Sequence, residues 1–191
     1  MVTVTELIPE CVSVQPGTVE AHGTGAYYTP RYLAEEIAVG ALEPLIYEPG
    51  PLQIADKSKW RHKPSADLWK ITICDPCSGT GVIQLAGARL LAEHLTTVLL
   101  AETDIDPIEK DGLYREVVRG VVERCVYGTD INPFAVCTSR LVLALEGLIP
   151  GRPMAVTDGG FAVGDALLGA ASIEDLERHR PVPDPKKPPV D

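Results

Sequence analysis

The segment Asp75-Pro76-Cys77-Ser78-Gly79-Thr80-Gly81 places a carboxylate and two glycines between a β-branched run and an apolar helical pattern. Glycine adopts positive φ without strain and lets a ligand lie against the backbone. A carboxylate at a strand end can accept from a ligand ammonium, while the first amides of a helix favour a ligand carboxylate. These are the two charged ends of an amino acid. The segment lacks the Gly-Lys-Ser/Thr of a nucleotide P-loop and the six-position glycine spacing of dinucleotide folds.

This segment resembles motif I of the S-adenosylmethionine-dependent methyltransferases, in the Asp-Pro-x-x-Gly-Ser/Thr-Gly form typical of DNA adenine (amino) methyltransferases. The resemblance implies that S-adenosylmethionine is bound by the following residues: Asp75, Pro76, Cys77, Ser78, Gly79 and Gly81. An ordinary glycine-rich turn is the alternative. Cys74 and Cys77 also form a Cys-x-x-Cys pair, which could indicate redox chemistry or half of a zinc site. We interpret the pair as coincidence, because no second close pair or His-x-x-x-His partner accompanies it.

A second candidate region lies upstream, where paired tyrosines precede Thr29-Pro30. Apolar residues then recur at helical spacing, namely Leu33, Ile37, Ala41, Leu42 and Leu45. Thr29 is expected to cap this helix and Pro30 to take its first position. The region resembles motif X of amino-methyltransferases, which implies that Tyr27, Tyr28, Thr29 and Pro30 cover the methionine end of the cofactor. A well-capped helix without a ligand is the alternative.

Two acids follow further apolar runs. Residues 125–130 predict a second strand ending in Asp130, where an acid can accept from both hydroxyls of a ribose. Its Tyr-Gly-x-Asp-Ile-Asn-Pro-x-Ala-Val setting resembles motif II of large bacterial restriction-modification and phage-defence adenine methyltransferases, which implies that Ile131 lies against the adenine. Residues 161–168 resemble motif III, which implies that Asp165 and Ala166 lie at the adenine amino group.

The elements that must position these residues follow from periodicity and breakers. We predict a strand at 71–74, a helix at 82–100, a solvated acidic loop at 101–111, a helix at 113–124, a helix from 132 to 145, and a third strand from 161. The predicted fold class is α/β, with an incomplete Rossmann-like class I methyltransferase sheet and an N-terminal helical segment. The expected organisation is an N-terminal arm (1–22), a cofactor-covering helix (23–46), a connecting loop (47–70), a partial methyltransferase core (71–170) and a proline-rich tail (171–191).

Composition limits the partners. The 191 residues carry a net charge of −10, which is the wrong sign for gripping phosphates over a wide surface and leaves only a local basic patch at 57–63. The acidic residues at 104–106 lack calcium-loop spacing, so no metal is expected there. No apolar run approaches the length of a membrane span and no secretory signal opens the chain, so a cytoplasmic location is expected.

One expected feature is missing. In the family, an Asn/Asp/Ser-Pro-Pro-Tyr/Phe motif after the fourth strand holds the target amine, and we find none in this sequence. Asn132-Pro133-Phe134 has one proline too few and follows the second strand, so we assign no catalytic residue. We therefore expect the S-adenosylmethionine-binding portion of a site-specific DNA adenine methyltransferase, inactive without a downstream catalytic segment.

The partners and alternatives follow from the same resemblance. In the family the first strand lies beside the fourth, so strand 71–74 would present a bare edge to a downstream segment or a partner chain. DNA would be contacted through segments absent from this chain. One alternative is a non-catalytic interaction module that retains the fold. Another is an enzyme that methylates a protein glutamine or a ribosomal base.

Overall fold

The sheet is parallel and three-stranded in the computed structural model, which describes residues 29–155 and 160–167. Its strands are β1 (Ile73–Asp75), β2 (Val126–Asp130) and β3 (Phe161–Val163), in the order β1-β2-β3. Asp75 lies opposite Gly128, and Asp130 opposite Val163. All three strands therefore end at one edge of the sheet, called the carboxyl edge below. The predicted α/β class, with a parallel sheet, is confirmed.

The helices cover one face of this sheet, because Val126 and Phe161 on that face are buried whereas Cys74 and Tyr127 on the other face are exposed. The helices are α1 (Arg31–Ile46), α2 (Ser65–Leu68), α3 (Val82–Glu102), α4 (Lys110–Arg124) and α5 (Pro133–Glu146), with single 3-10 turns at Lys57–Lys59 and Pro107–Glu109. The predicted helices are confirmed to within a turn at each end. Nothing in residues 29–155 and 160–167 forms a helix long and apolar enough to cross a bilayer.

Two predicted boundaries are wrong. The first strand begins later than expected, because its ladder with β2 starts at Ile73, whose N–H donates to Cys125 O at 2.7 Å. The acidic stretch 101–111 is not a continuous loop, since α3 extends into it and α4 begins before it ends. Asp111 stands in the first turn of α4, where the helix dipole stabilises a negative charge.

The helix α1 packs against α3 through a face that includes only one of the five apolar residues at helical spacing, Leu42. Its buried residues are Ala34, Ala38, Leu42 and Ile46. In contrast, Leu33, Ile37 and Leu45 are 40%, 42% and 47% exposed. The two alanines present little side-chain bulk, so the helices can approach closely, and Gly87 of α3 leaves room for Ile73 of β1 beside Leu42.

The helices α1 and α3 run in the same direction. Near the middle of α1, Leu42 Cδ1 lies 3.7 Å from the position that a Cβ on Gly87 would take. Just beyond the end of α1, the ring of Tyr47 lies 5.4 Å from that of His94, farther along α3. The starts of both helices therefore lie towards the carboxyl edge.

The predicted connecting loop, 47–70, is folded against α3. Tyr47 and His62 form an antiparallel bridge, and Lys63 N–H donates to Ile46 O at 2.9 Å. His62 Nε2 lies 2.9 Å from His94 Nδ1, and the Tyr47 ring packs at a tilt against the rings of both His62 and Trp60. We call the four residues Tyr47, Trp60, His62 and His94 the aromatic junction. It attaches residues 47–63 to the middle of α3.

Candidate functional site

The loop that follows β1 is shaped by short-range hydrogen bonds. Asp75 Oδ1 accepts from the N–H of Cys77 at 2.9 Å, which turns the chain sharply at the strand end. Ser78 N–H donates to Thr129 O of β2 at 2.9 Å, and Gly81 N–H donates to Ser78 O at 2.9 Å. These bonds fold residues 76–81, called the glycine loop below, over the carboxyl edge.

The two glycines of this loop have different surroundings. Gly79 has φ +50°, and a Cβ placed on it would meet nothing within 4 Å, so the space beside it is open. Gly81 has φ +82° and is the N-cap of α3. A Cβ on Gly81 would lie 2.8 Å from Ser139 Cβ of α5. Gly81 is therefore required by close packing as well as by its backbone angle, while Gly79 leaves room for a ligand.

The start of α3 supplies hydrogen-bond donors to this open space. The first intrahelical bond runs from Leu85 N–H to Gly81 O at 2.9 Å. The amides of Val82, Ile83 and Gln84 precede it and can find no carbonyl within the helix. With the helix dipole, they favour a negatively charged ligand group.

Asp130, at the end of β2, contacts all three loops of the carboxyl edge. Its Oδ2 accepts from Gly79 N–H at 2.8 Å and its Oδ1 from Asn132 N–H at 2.8 Å. Its main-chain oxygen accepts from Gly164 N–H at 3.0 Å. The structure thus brings the residues predicted after β1, β2 and β3 to one place.

The remaining predicted contacts after β2 and β3 lie around this centre. Ile131 is 61% exposed, so its side chain is accessible at the carboxyl edge. Asp165 follows Gly164 directly and is half-buried, and its Oδ1 accepts from Leu167 N–H at 2.8 Å. Ala166 is exposed beside it. The predicted adenine contacts are therefore accessible, next to the acid predicted to bind the ribose.

The predicted N-terminal contacts are only partly described. Tyr27 and Tyr28 lie outside the described residues. Thr29 is half-buried and Pro30 exposed. The predicted capping is wrong: Pro30 itself is the N-cap, with an extended ψ of 143° and no side-chain cap bond, and its carbonyl accepts from Ala34 N–H at 3.1 Å. Because proline favours extended ψ values as readily as helical ones, Thr-Pro did not fix the first helical residue.

Several buried polar atoms at the site lack a partner within the protein. In the described part of the chain, buried side-chain atoms without a hydrogen bond are Ser78 Oγ and both amide atoms of Gln84. Ser78 is in the glycine loop, and Gln84 is fully buried in the first turn of α3. Such atoms are uncommon in folded proteins. Ser78 Oγ lies in the glycine loop, where a polar ligand could bind it, whereas Gln84 Nε2 lies 2.7 Å from the position of a Cβ on Gly128, in the middle of β2.

Sequence reasoning missed the residues that hold the predicted ones in place. Ser139 packs on Gly81, Thr129 accepts from the glycine loop, and Gly164 donates to Asp130. Thr129 and Gly164 are neighbours of Asp130 and Asp165, and this adjacency was the only available signal. Nothing in the sequence links Ser139 to Gly81, which lies 58 positions earlier by the difference of their numbers.

Two sequence motifs near the site could have indicated other chemistry, namely Asn132-Pro133-Phe134 and the pair Cys74 and Cys77. Asn132 is the N-cap of α5, and its Oδ1 accepts from Phe134 N–H at 3.0 Å. Cys74 and Cys77 are free, exposed thiols. Groups of three or more residues able to hold a metal ion are not found in the described ranges.

No protein-family model, curated protein or solved structure matches this chain. The candidate site therefore rests on its own sequence and geometry.

Proposed function

We propose that this chain binds S-adenosylmethionine and is the cofactor-binding portion of a site-specific DNA adenine methyltransferase with a Rossmann-like class I sheet. The observation that carries the proposal is the meeting of the three loops on Asp130 beside the open space at Gly79. The ordered resemblance of the sequence to motifs X, I, II and III supports this cofactor over other ligands with an amino-acid end.

Different residues of the chain would bind different parts of the ligand. Asp75 would accept from the ammonium, since its Oδ1 is turned towards Cys77 and its Oδ2 remains for the ligand. The first amides of α3 would donate to the carboxylate. Asp130 would accept from the ribose hydroxyls, and Ile131, Asp165 and Ala166 would surround the adenine. When bound, S-adenosylmethionine would supply an electrophilic sulfonium methyl group. The exocyclic nitrogen of a target adenine would form the new N–C bond as the S–C bond breaks, which would leave S-adenosylhomocysteine and release one amine proton to solvent.

DNA contacts are proposed to come from segments other than those described. The basic residues at 57–63 do not form an open positive patch, because acids neutralise three of them. Lys57 Nζ lies 3.3 Å from Glu43, Lys59 Nζ 3.4 Å from Asp56, and Lys63 Nζ 3.7 Å from Glu48. A phosphate would have to displace these carboxylates.

Isothermal titration of the chain with S-adenosylmethionine tests the proposal. We expect saturable one-site binding, weakened about tenfold or more in Asp75→Asn, because a charge-assisted hydrogen bond is lost. Asp106→Asn is the matched control: Asp106 Oδ1 also accepts from the amide two residues later, that of Ile108, at 2.9 Å, but far along the chain from the loops. No binding by a folded sample, alone or with a downstream segment, would refute the proposal.

A second candidate function, a non-catalytic interaction module, is favoured by a different surface. The strand β1 is at the sheet edge in the described residues, and α1 exposes Leu33, Ile37 and Leu45 as an apolar stripe. Such a module would retain a stable partner complex when Asp75 and Asp130 are both replaced by asparagine. Parallel loss of cofactor binding and of the complex would argue against it.

A further inference from the structure

We infer that Asp130 is a positioning residue whose carboxylate fixes the glycine loop relative to the start of α5 before a ligand arrives. The inference concerns the proposed cofactor site and rests on that function for its purpose. Its evidence, however, comes from bonds within the protein, so it can be tested without a ligand.

The first step is the geometry of the three bonds. Asp130 accepts from Gly79 after β1 at 2.8 Å, from Asn132 after β2 at 2.8 Å, and from Gly164 after β3 at 3.0 Å. The first two go to the carboxylate and the third to the main chain. The side chain therefore connects the glycine loop to the start of α5, which are 53 positions apart by the difference between Gly79 and Asn132.

The second step is the dependence of Gly79 on this side chain. The neighbours of Gly79 are tied by backbone bonds, since Ser78 N–H donates to Thr129 O and Gly81 N–H to Ser78 O. The Gly79 amide instead relies on Asp130 Oδ2. With its φ of +50° and no contact for a Cβ, Gly79 has little packing to hold it otherwise.

The third step is the chemistry of the carboxylate. An ionised carboxylate accepts on both oxygens, whereas an asparagine side chain has one acceptor oxygen and an NH2 group that donates. Asparagine at this position would therefore lose one of the two amide contacts and set N–H against N–H. A carboxylate also offers about four acceptor positions in all, so two loop bonds leave capacity for ligand hydroxyls.

Amide hydrogen exchange of the ligand-free protein, read residue by residue by NMR, tests the inference. We expect Asp130→Asn to accelerate exchange at Gly79 or Asn132 by about tenfold or more, because a hydrogen bond to a charged group is lost. Asp106→Asn removes a similar bond to Ile108 outside the site and is expected to leave Gly79 unchanged.

Three results would overturn the inference. One is unchanged exchange at both Gly79 and Asn132 in Asp130→Asn, which would leave Asp130 as a ligand contact only. Another is an equal acceleration at buried α3 amides such as Leu95, which would indicate global destabilisation. If the variant does not fold, the exchange rate of the Gly79 amide in the wild-type protein is the test. Exchange at the rate of an unstructured chain would show that the hydrogen bond to Asp130 does not form.

The proposed function fails separately. A wild-type protein that protects Gly79 through Asp130 but does not bind S-adenosylmethionine would refute the cofactor assignment and retain the positioning role. If the protein binds S-adenosylmethionine but amide exchange at Gly79 is unchanged in Asp130→Asn, the positioning role would be refuted and the cofactor assignment would be retained.

Discussion

Different interactions attach neighbouring segments of the chain to the start and to the middle of the helix α3. At its start, the glycine loop is fixed by backbone amides that donate to Asp130 and Thr129, and by the close contact of Gly81 with Ser139. At His94, about 18 Å farther along the helix axis, the aromatic junction holds residues 47–63 through tilted ring contacts and an imidazole pair.

The two regions differ in how tightly their interactions constrain the positions of the atoms. Amide-to-carboxylate bonds and a crowded glycine leave few alternative positions, which suits loops that must surround a ligand. Tilted ring contacts tolerate small shifts, and imidazole is the side chain whose unperturbed pKa lies between pH 5 and pH 8. The start of α3 should therefore be sensitive to single atoms, and the junction to solution conditions.

The largest expected effect comes from adding one methyl group at the start of α3. Gly81→Ala should lower the free energy of unfolding by about 3 kcal/mol, because it combines left-handed strain with an overpacked contact. The Cβ would meet Ser139 Cβ at 2.8 Å and its Cα at 3.0 Å. Urea denaturation measures the change.

Gly79→Ala is the matched control for crowding. Its φ is also positive, but a Cβ there meets nothing within 4 Å. We expect a loss of about 1 kcal/mol from strain alone. Equal losses in the two variants would show that Gly81 is not crowded by α5.

A smaller effect of opposite sign is expected at Gln84. Gln84→Met removes two buried atoms that lack protein partners and keeps a similar length, so it should raise the free energy of unfolding by about 1 kcal/mol. The control is Thr96→Val in the same helix, because Thr96 Oγ1 is buried and donates to Ala92 O at 2.7 Å. In that variant the free energy of unfolding should decrease by about 1 kcal/mol.

The measurement is again urea denaturation, together with titration of S-adenosylmethionine into each variant. If Gln84 serves the ligand site, the more stable Gln84→Met protein should bind more weakly than wild type. A destabilised Gln84→Met protein would mean that the amide already has its hydrogen bonds.

The smallest effect concerns pH at the aromatic junction. Burial lowers the pKa of His62 and His94 below 6.5, and the neighbouring His62 lowers the pKa of His94 further, while Glu43 and Glu93 oppose this. The unfolded chain therefore binds more protons as the pH falls through about 6.5, and the folded state loses stability there. The urea concentration at the midpoint of unfolding should therefore decrease as the pH is lowered from 7 to 5.

The variant His62→Gln separates the junction from the rest of the protein. It removes one imidazole and one member of the His62–His94 pair, so the slope of stability against pH should flatten. An unchanged slope would place the pH dependence elsewhere in the molecule.

The order of elements around the site could be predicted from the sequence, because each signal is local. A β-branched run followed by an acid marks the ends of β1 and β2, and Asn132-Pro133 marks the start of α5. Such patterns depend on residues that are neighbours in the chain. The strand at Phe161 follows from the same kind of signal.

The contacts between these elements could not be predicted in this way. The buried face of α1 does not follow from its large apolar residues, since the small residues Ala34 and Ala38 are buried while Leu33 and Ile37 are exposed. The junction joins His62 to His94, and neither histidine stands out in its own segment. The bonds of Asp130 to Gly79 and Gly164 depend on the register of three strands, which single-segment patterns do not contain.

The shared direction of α1 and α3 has an electrostatic consequence. Two helices lying side by side with aligned macrodipoles repel each other, because their like poles are adjacent. A ligand carboxylate at the start of α3 would offset the positive pole there and reduce its repulsion of the positive pole of α1. Ligand binding at the start of α3 should thus also protect the first turn of α1 from fraying, even at residues such as Arg31 that need not touch the ligand.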